Sequence, residues 1–154
     1  MKHIRPNHLI LVVEDSDIDY ETTLRAFKKS NMANPVQRCE DGEDALDYLF
    51  QRNRYSSAEN SPLPDLILLD LNLPGTDGRE VLEEIKKDPK LKSIPVIVLT
   101  TSSDDRDIEV CYRSGANSYI QKPVDLQGFF AAIQRLKDFW FEVVLLPKHE
   151  ELSP

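Results

Sequence analysis

The chain has 154 residues, 40% of them hydrophobic, and a formal net charge of −8. Its length suits one domain with a sizeable core, which excludes a disordered chain or a small disulfide-held scaffold. The acidic balance excludes a dedicated nucleic-acid binder, because neutralising phosphates takes clustered Lys and Arg. The two cysteines, Cys39 and Cys111, lie far apart in sequence and read as reduced thiols of a cytoplasmic protein. The apolar run near the N-terminus spans only five residues, too short for a signal-peptide core or a membrane span, so no membrane association is expected.

Apolar runs alternate with helical patterns along the chain. HLILVV (8–13) predicts a first strand, closed by Glu14 and Asp15. Ser16 offers a cap to a helix over 17–30, with Ile18, Leu24, Ala26 and Phe27 at helical positions. PVQRC (35–39) predicts a more polar strand nearer a sheet edge, and a second helix is predicted over 43–53 with Ala45, Leu46, Leu49 and Phe50. The polar, proline-containing stretch 51–64 reads as a long loop. DLILL (65–69) is a third strand that runs into Asp70, and Val81, Leu82 and Ile85 mark a helix over 78–87. IPVIVLT (94–100) is a fourth strand with Pro95 near its start, where proline is tolerated. A helix over 104–113 follows TSSDD, whose hydroxyls and acids suit an N-terminus. NSYIQ (117–121) is a short fifth strand that ends at Lys122, and the last helix starts near Asp125 and reaches toward Leu145.

Strands that are apolar throughout imply burial on both faces, hence a parallel sheet covered by helices. Five strand–helix units predict an α/β fold of three layers, (βα)5, doubly wound and flavodoxin-like, with a five-stranded parallel sheet in the order 2-1-3-4-5. In that order the first and third strands are neighbours, and the carboxyl edge of the sheet gathers Glu14, Asp15, Asp70, Thr100 and Lys122. Three carboxylates in a small volume resist ionising together, and a divalent cation resolves the conflict. Oxygen-only ligands favour Mg²⁺. With Lys122 available for an incoming phosphate, the chemistry that suits the set is phosphoryl transfer onto the Asp70 carboxylate, with a hydrogen bond from the Thr100 hydroxyl. NLPGTDG, after Asp70, provides a tight turn. Taken singly, each residue also has an ordinary role: Asp70 to cap its turn, Glu14 and Asp15 to cap the first helix, Thr100 to favour a strand, Lys122 as a solvated charge. Complementary groups supplied by four separate strand ends weigh against those roles together.

These residues resemble the CheY-like receiver domains of two-component response regulators. The matching pieces are VVED with Glu14 and Asp15, LILLDLNLPGTDG with Asp70, VIVLTTS with Thr100, and SYIQKP with Tyr119 and Lys122-Pro123. The resemblance covers roughly residues 8–140 and implies a single receiver domain over 1–147 with an extended C-terminal helix, followed by a flexible tail over 148–154. It implies that Asp70 is the phosphoacceptor and that Glu14, Asp15, Asp70 and the Asn72 backbone carbonyl hold Mg²⁺. It implies that Thr100 and Tyr119 form a switch pair, and that a cis Lys122–Pro123 peptide aims the lysine. Asn72 and Ser102, two positions beyond Asp70 and Thr100, are expected to tune hydrolysis. The expected activity is phosphorylation by a sensor histidine kinase, with catalysis confined to the protein's own phosphorylation and dephosphorylation. The signal is then expected to leave through protein contacts or dimerisation. The long loop before the third strand, the segment DPKLKSIPVIVLTTS and the ending FWFEVVLLPK resemble the subgroup paired with bacterial phytochrome histidine kinases.

The last helix carries more apolar residues than one surface helix on a small sheet can bury. Gln127, Gln134, Asp138 and Glu142 mark an outward stripe, while Leu126, Phe130, Ile133 and Trp140 mark a core-facing side. Phe129, Leu136, Phe139 and Val143 widen that side, and Phe141 and Leu145 fall on or beside the polar stripe. One reading bends the C-terminal segment back over its own domain. The other, preferred, is a homodimer through the fourth helix, fifth strand and fifth helix, with Phe129, Phe141 and Leu145 at the interface. Two rival functions fit less well. An aspartyl-phosphate phosphatase of the haloacid dehalogenase type places its nucleophile after the first strand in a D-x-D arrangement, whereas Glu14-Asp15 stands there. A flavodoxin-like FMN carrier needs a hydroxyl-rich phosphate loop at that point, and EDSDID would repel phosphate without a cation.

Overall fold

A computed structural model describes residues 7–57, 59, 61–122 and 125–142. Five parallel strands form one sheet: β1 (Ile10–Val13), β2 (Val36–Cys39), β3 (Leu66–Leu69), β4 (Val96–Thr100) and β5 (Ser118–Gln121), ordered β2-β1-β3-β4-β5. The helices between and after them are α1 (Asp17–Lys29), α2 (Gly42–Leu49), α3 (Gly78–Lys87), α4 (Asp105–Arg113) and α5 (Leu126–Glu142). The topology is the doubly wound, flavodoxin-like one expected from the pattern of the sequence, and each strand is one or two residues shorter than its apolar run.

Alternation along the strands divides the core into two. Leu11, Val13, Ile67, Leu69, Val96 and Val98 face one side, where Leu46, Leu49, Val81, Leu82, Ile85 and Cys111 of α2, α3 and α4 cover them. Ile10, Val12, Leu66, Leu68, Ile97 and Leu99 face the other, under Ala26 and Phe27 of α1 and Phe129, Ile133, Leu136 and Trp140 of α5. β1, β3 and β4 are buried along their whole length, while β2 and β5 are largely half-buried, as their more polar sequences require of edge strands.

The helices begin where short acceptor side chains can satisfy free N–H groups. Ser16 accepts from the Asp19 N–H at 3.2 Å, Asp41 from Asp44, Asp77 from Arg79 and Asp104 from Arg106. α2 stops at Leu49, four residues short of the expected end, because Gln51 (φ 52°) and Asn53 (φ 57°) both turn left-handed. The polar stretch that follows is not a plain loop. A 3₁₀ turn over Asn53–Tyr55 seats the Tyr55 ring 5.0 Å from that of Tyr48, edge to face, and buried Ser61 donates to the Tyr55 carbonyl at 2.8 Å.

α5 is rotated from its expected register. Its buried stripe is Phe129, Ala132, Ile133, Leu136 and Trp140, the i, i+3, i+4, i+7 and i+11 positions of one helix face. Leu126, expected to face the core, is 41% exposed, and Phe130 is only half-buried. Phe129, expected at an interface, is 6% exposed and belongs to its own domain's core. Gln127, Gln134 and Asp138 do point outward. The expected helical residues 143–145, Leu145 with them, the side chain of Phe141 and the expected tail over 148–154 lie outside what is described.

Candidate functional site

The ladders deliver the acids. β1 and β3 pair so that Val13 lies opposite Leu69, and the pairing runs one residue further: the Asp70 N–H donates to the Val13 carbonyl at 3.1 Å. On the other side of β1, the Glu14 N–H donates to the Cys39 carbonyl at 3.0 Å. Glu14 and Asp70 are therefore backbone neighbours held by the sheet. Behind Asp70 the turn is short, since the Gly78 N–H donates to the Leu71 carbonyl at 3.0 Å and Gly75 takes φ 68°. β4 and β5 pair up to Thr100 and Gln121, and the Lys122 N–H then donates to the Thr100 carbonyl.

Lys122 closes the arrangement. Its Nζ lies 2.5 Å from Glu14 Oε1, 3.1 Å from Asp19 Oδ2 and 3.2 Å from Asp70 Oδ2. Glu14, Asp70 and Lys122 are buried, at 4%, 8% and 8% exposure, while Asp15 is open to solvent. Burial pushes the Glu14 carboxyl up, to about 7, against the pull of Lys122. Burial works against the charge on Lys122 as well, but the Glu14 hydrogen bond and the neighbouring carboxylates outweigh it and hold the ammonium well above the usual lysine range.

Glu14, Asp15 and Asp70 each offer a carboxylate oxygen, all within 4.8 Å of one another. Three hard oxygen donors, one of them on the solvent side, suit a divalent cation that keeps some of its water. The charge balance agrees, because the Lys122 ammonium meets the carboxylates of Glu14, Asp19 and Asp70, and Asp15 adds a fourth acid beside Glu14 and Asp70.

The structure places the remaining expected residues around this centre. Thr100 is fully buried at the end of β4, and its Oγ1 accepts from Asn72 Nδ2 at 3.4 Å. The Asn72 N–H donates to Asp70 Oδ1 at 3.1 Å, which ties the segment carrying the Asn72 carbonyl to the acid. Tyr119 is half-buried on β5, and its hydroxyl donates to the Ser102 carbonyl at 2.9 Å. The Lys122–Pro123 peptide lies outside the described residues. A cleft of about 260 Å³ opens beside Lys122, lined by Asp19, Thr22, Thr101, Asp125, Leu126 and Phe129.

Three residues of this region escape a sequence reading. Asp19 sits in the first turn of α1, where an acid is ordinary in a helix sequence, and only the packing of α1 against the sheet brings it to Lys122. Arg79 and Asp107 form a fork-to-fork ion pair at 2.7 and 2.6 Å, although 28 residues separate them and no local pattern joins them.

Residues 10–134 match the family of response regulator receiver domains. The chain is similar to response regulator Rcp1 of Synechocystis sp., with 45% identity over 142 residues, which are 92% of this chain and 95% of that protein. Among solved structures it is similar to the phosphorylated cyanobacterial phytochrome response regulator RcpA, at 42% identity and a TM-score of 0.85, with 92% of this chain and 99% of that one covered. It is likewise similar to the Mn²⁺-bound form of Rcp1, at 45% identity and a TM-score of 0.84, with the same coverage.

Proposed function

The chain belongs to the family of response regulator receiver domains, and from that premise we propose that Asp70 accepts a phosphoryl group from the phosphohistidine of a sensor histidine kinase. One observation carries this reading: the sheet ladder sets the buried Glu14 and Asp70 side by side, with the Lys122 ammonium against both.

In the reaction an Asp70 carboxylate oxygen attacks phosphorus, the phosphorus–nitrogen bond to imidazole breaks, and the imidazole leaves with a proton. Lys122 supplies positive charge to the phosphoryl oxygens as its bond to Asp70 is exchanged for one to phosphate. The Thr100 hydroxyl donates to a phosphoryl oxygen, and Tyr119 follows that movement. Glu14, Asp15, Asp70 and the Asn72 carbonyl would hold Mg²⁺, which would supply Lewis-acid neutralisation of the phosphoryl charge. The only catalysis is the formation and hydrolysis of this acyl phosphate.

The names of the relatives support a bacterial phytochrome as the kinase, in the cytoplasm, where phosphohistidine donors and Mg²⁺ are both present. The output is a contact surface, and a second copy of the chain fits it best. Val110, Tyr112 and Phe139 are 40%, 49% and 50% exposed on α4 and α5. Tyr112 and Phe139 line a groove of about 310 Å³ together with Tyr119, Ile120, Leu136 and Trp140. This supports a homodimer through α4, β5 and α5, with Phe139 in the place first assigned to Phe129.

Intact-mass measurement after incubation with Mg²⁺ and acetyl phosphate tests the phosphoacceptor. Wild type is expected to gain one phosphoryl group and Asp70→Asn none. Equal labelling of both proteins, or rapid turnover of many phosphate esters, would overturn the reading.

A further inference from the structure

The turn between β1 and α1 carries two of the three clustered carboxylates, and one side chain of β2 holds it at both ends. The ladder of β1 on β2 closes with the Glu14 N–H donating to the Cys39 carbonyl at 3.0 Å. The Glu14 carbonyl that follows takes a donor from a side chain, Arg38 Nε, at 3.1 Å. The same guanidinium reaches the first residue of α1, where Nη1 donates to Asp17 Oδ1 at 2.8 Å, and lies 3.3 Å from Glu40 Oε1. Its carbon stands over the Tyr20 ring, 4.6 Å from the centroid. Asp15 sits between the two anchored points, open to solvent.

These bonds do not weigh equally. Asp17 and Glu40 are exposed, so water and salt screen their ion pairs. The Arg38 side chain is only 17% exposed, and the Tyr20 ring holds its planar head against the turn. Nη2 is buried with no hydrogen-bond partner among the described residues, which opposes that placement. A guanidinium that served only Asp17 and Glu40 could stay in water with all its N–H groups satisfied. The bond to the Glu14 carbonyl is the one that requires it inside.

We infer that Arg38 is a positioning residue for the divalent cation: by holding the Glu14 carbonyl and Asp17, it sets the turn in which Asp15 meets Glu14 and Asp70. This rests on the reading of those three acids as cation ligands. The sheet itself fixes the backbone of Glu14 and Asp70. Asp15 lies one residue past the ladder, so its carboxylate is placed by the turn. A turn ordered before the ion arrives spares the cost of ordering it at binding. Charge alone predicts the opposite sign. A guanidinium so close to the acids repels a dication, and its removal would then tighten binding.

The test is a titration of the unphosphorylated chain with Mn²⁺, with the free ion read by electron paramagnetic resonance. Arg38→Met, which removes the charge and the bonds, is expected to bind about 10-fold more weakly than wild type, as when groups that orient metal ligands are lost. Arg38→Lys, which keeps the charge without the Nε donor, is expected to weaken binding about as much. Tyr20→Leu alters no charge and removes the ring beneath the guanidinium. It is expected to weaken binding about 2- to 5-fold and carries the test if the Arg38 variants do not fold, unchanged binding then overturning the inference. In folded Arg38 variants, tighter binding would leave charge as the whole effect, and unchanged binding with a lower urea midpoint would leave stability alone; either overturns the inference. Asp15→Asn separates the inference from its premise. If it weakens binding and the Arg38 variants do not, the inference alone falls. If wild type binds no Mn²⁺, or no better than Asp15→Asn, the cation reading falls with it.

Discussion

Asp70 is backed by a glycine that leaves it no room to retreat. A Cβ on Gly78 would stand 2.3 Å from the Asp70 carbonyl oxygen and 2.6 Å from the Leu71 Cα. Backbone cannot yield as a side chain does, so Gly78→Ala is expected to lower stability by about 1–3 kcal/mol, read from urea midpoints. An unchanged midpoint would mean that the turn is looser than drawn. Lys86 offers a second test at this scale. Its ammonium donates to the carbonyls of Lys92 and Ile94 at 3.0 and 2.8 Å and to Asn117 Oδ1 at 3.4 Å, tying α3 to the segment that leads into β4 and to the residue before β5. Burial pushes its pKa down from the ordinary 10.5 to about 8. Its folded value lies below its unfolded one, so between those two pH values the unfolded chain binds more protons, and this contribution to stability rises with pH. Wild type is expected to gain on Lys86→Met across that window, and a difference independent of pH would count against the buried ammonium.

At the scale of the element, α5 shows where periodicity is enough and where it is not. The polar stripe Gln127, Gln134 and Asp138 is legible from spacing and points outward as read. The apolar side is too wide for spacing to choose its centre. The choice is made by docking: Ile133 and Leu136 meet the same face of the sheet as Phe27 of α1, which leaves Leu126 outside. Ile133→Ala is expected to cost about 2–4 kcal/mol, as a cavity among buried side chains, and Leu126→Ala less than about 0.5 kcal/mol. The reverse order in urea unfolding would restore the first register. α2 teaches the complementary lesson. Its apolar spacing continues to Phe50, but two left-handed residues end the helix; asparagine visits that conformation readily, whereas Gln51, which comes first after the helix, does not announce it.

For the whole molecule, a cation that binds only the folded chain must stabilise it. Mg²⁺ is expected to raise the thermal midpoint of wild type and to do so far less for Asp15→Asn. Asp15 is exposed, so its loss leaves the packing alone. The same rise in both proteins would disconnect the carboxylates from the ion. Sedimentation at micromolar concentration is expected to give a dimer mass for wild type and a monomer mass for Phe139→Glu. A monomeric wild type, with and without phosphorylation, would remove the dimer.

The sequence by itself determined the fold class and the five groups at the sheet's carboxyl edge. Continuous apolar runs force burial of strands on both faces, and in a parallel sheet every strand ends on the same edge. Asp70, Glu14, Asp15, Thr100 and Lys122 are legible for that reason. Only the tertiary structure decided which lysine contacts are made, which face of α5 is buried, and that Arg79 meets Asp107. Those outcomes depend on how helices from distant parts of the chain settle against a common sheet, and no local spacing encodes a contact between residues 28 positions apart.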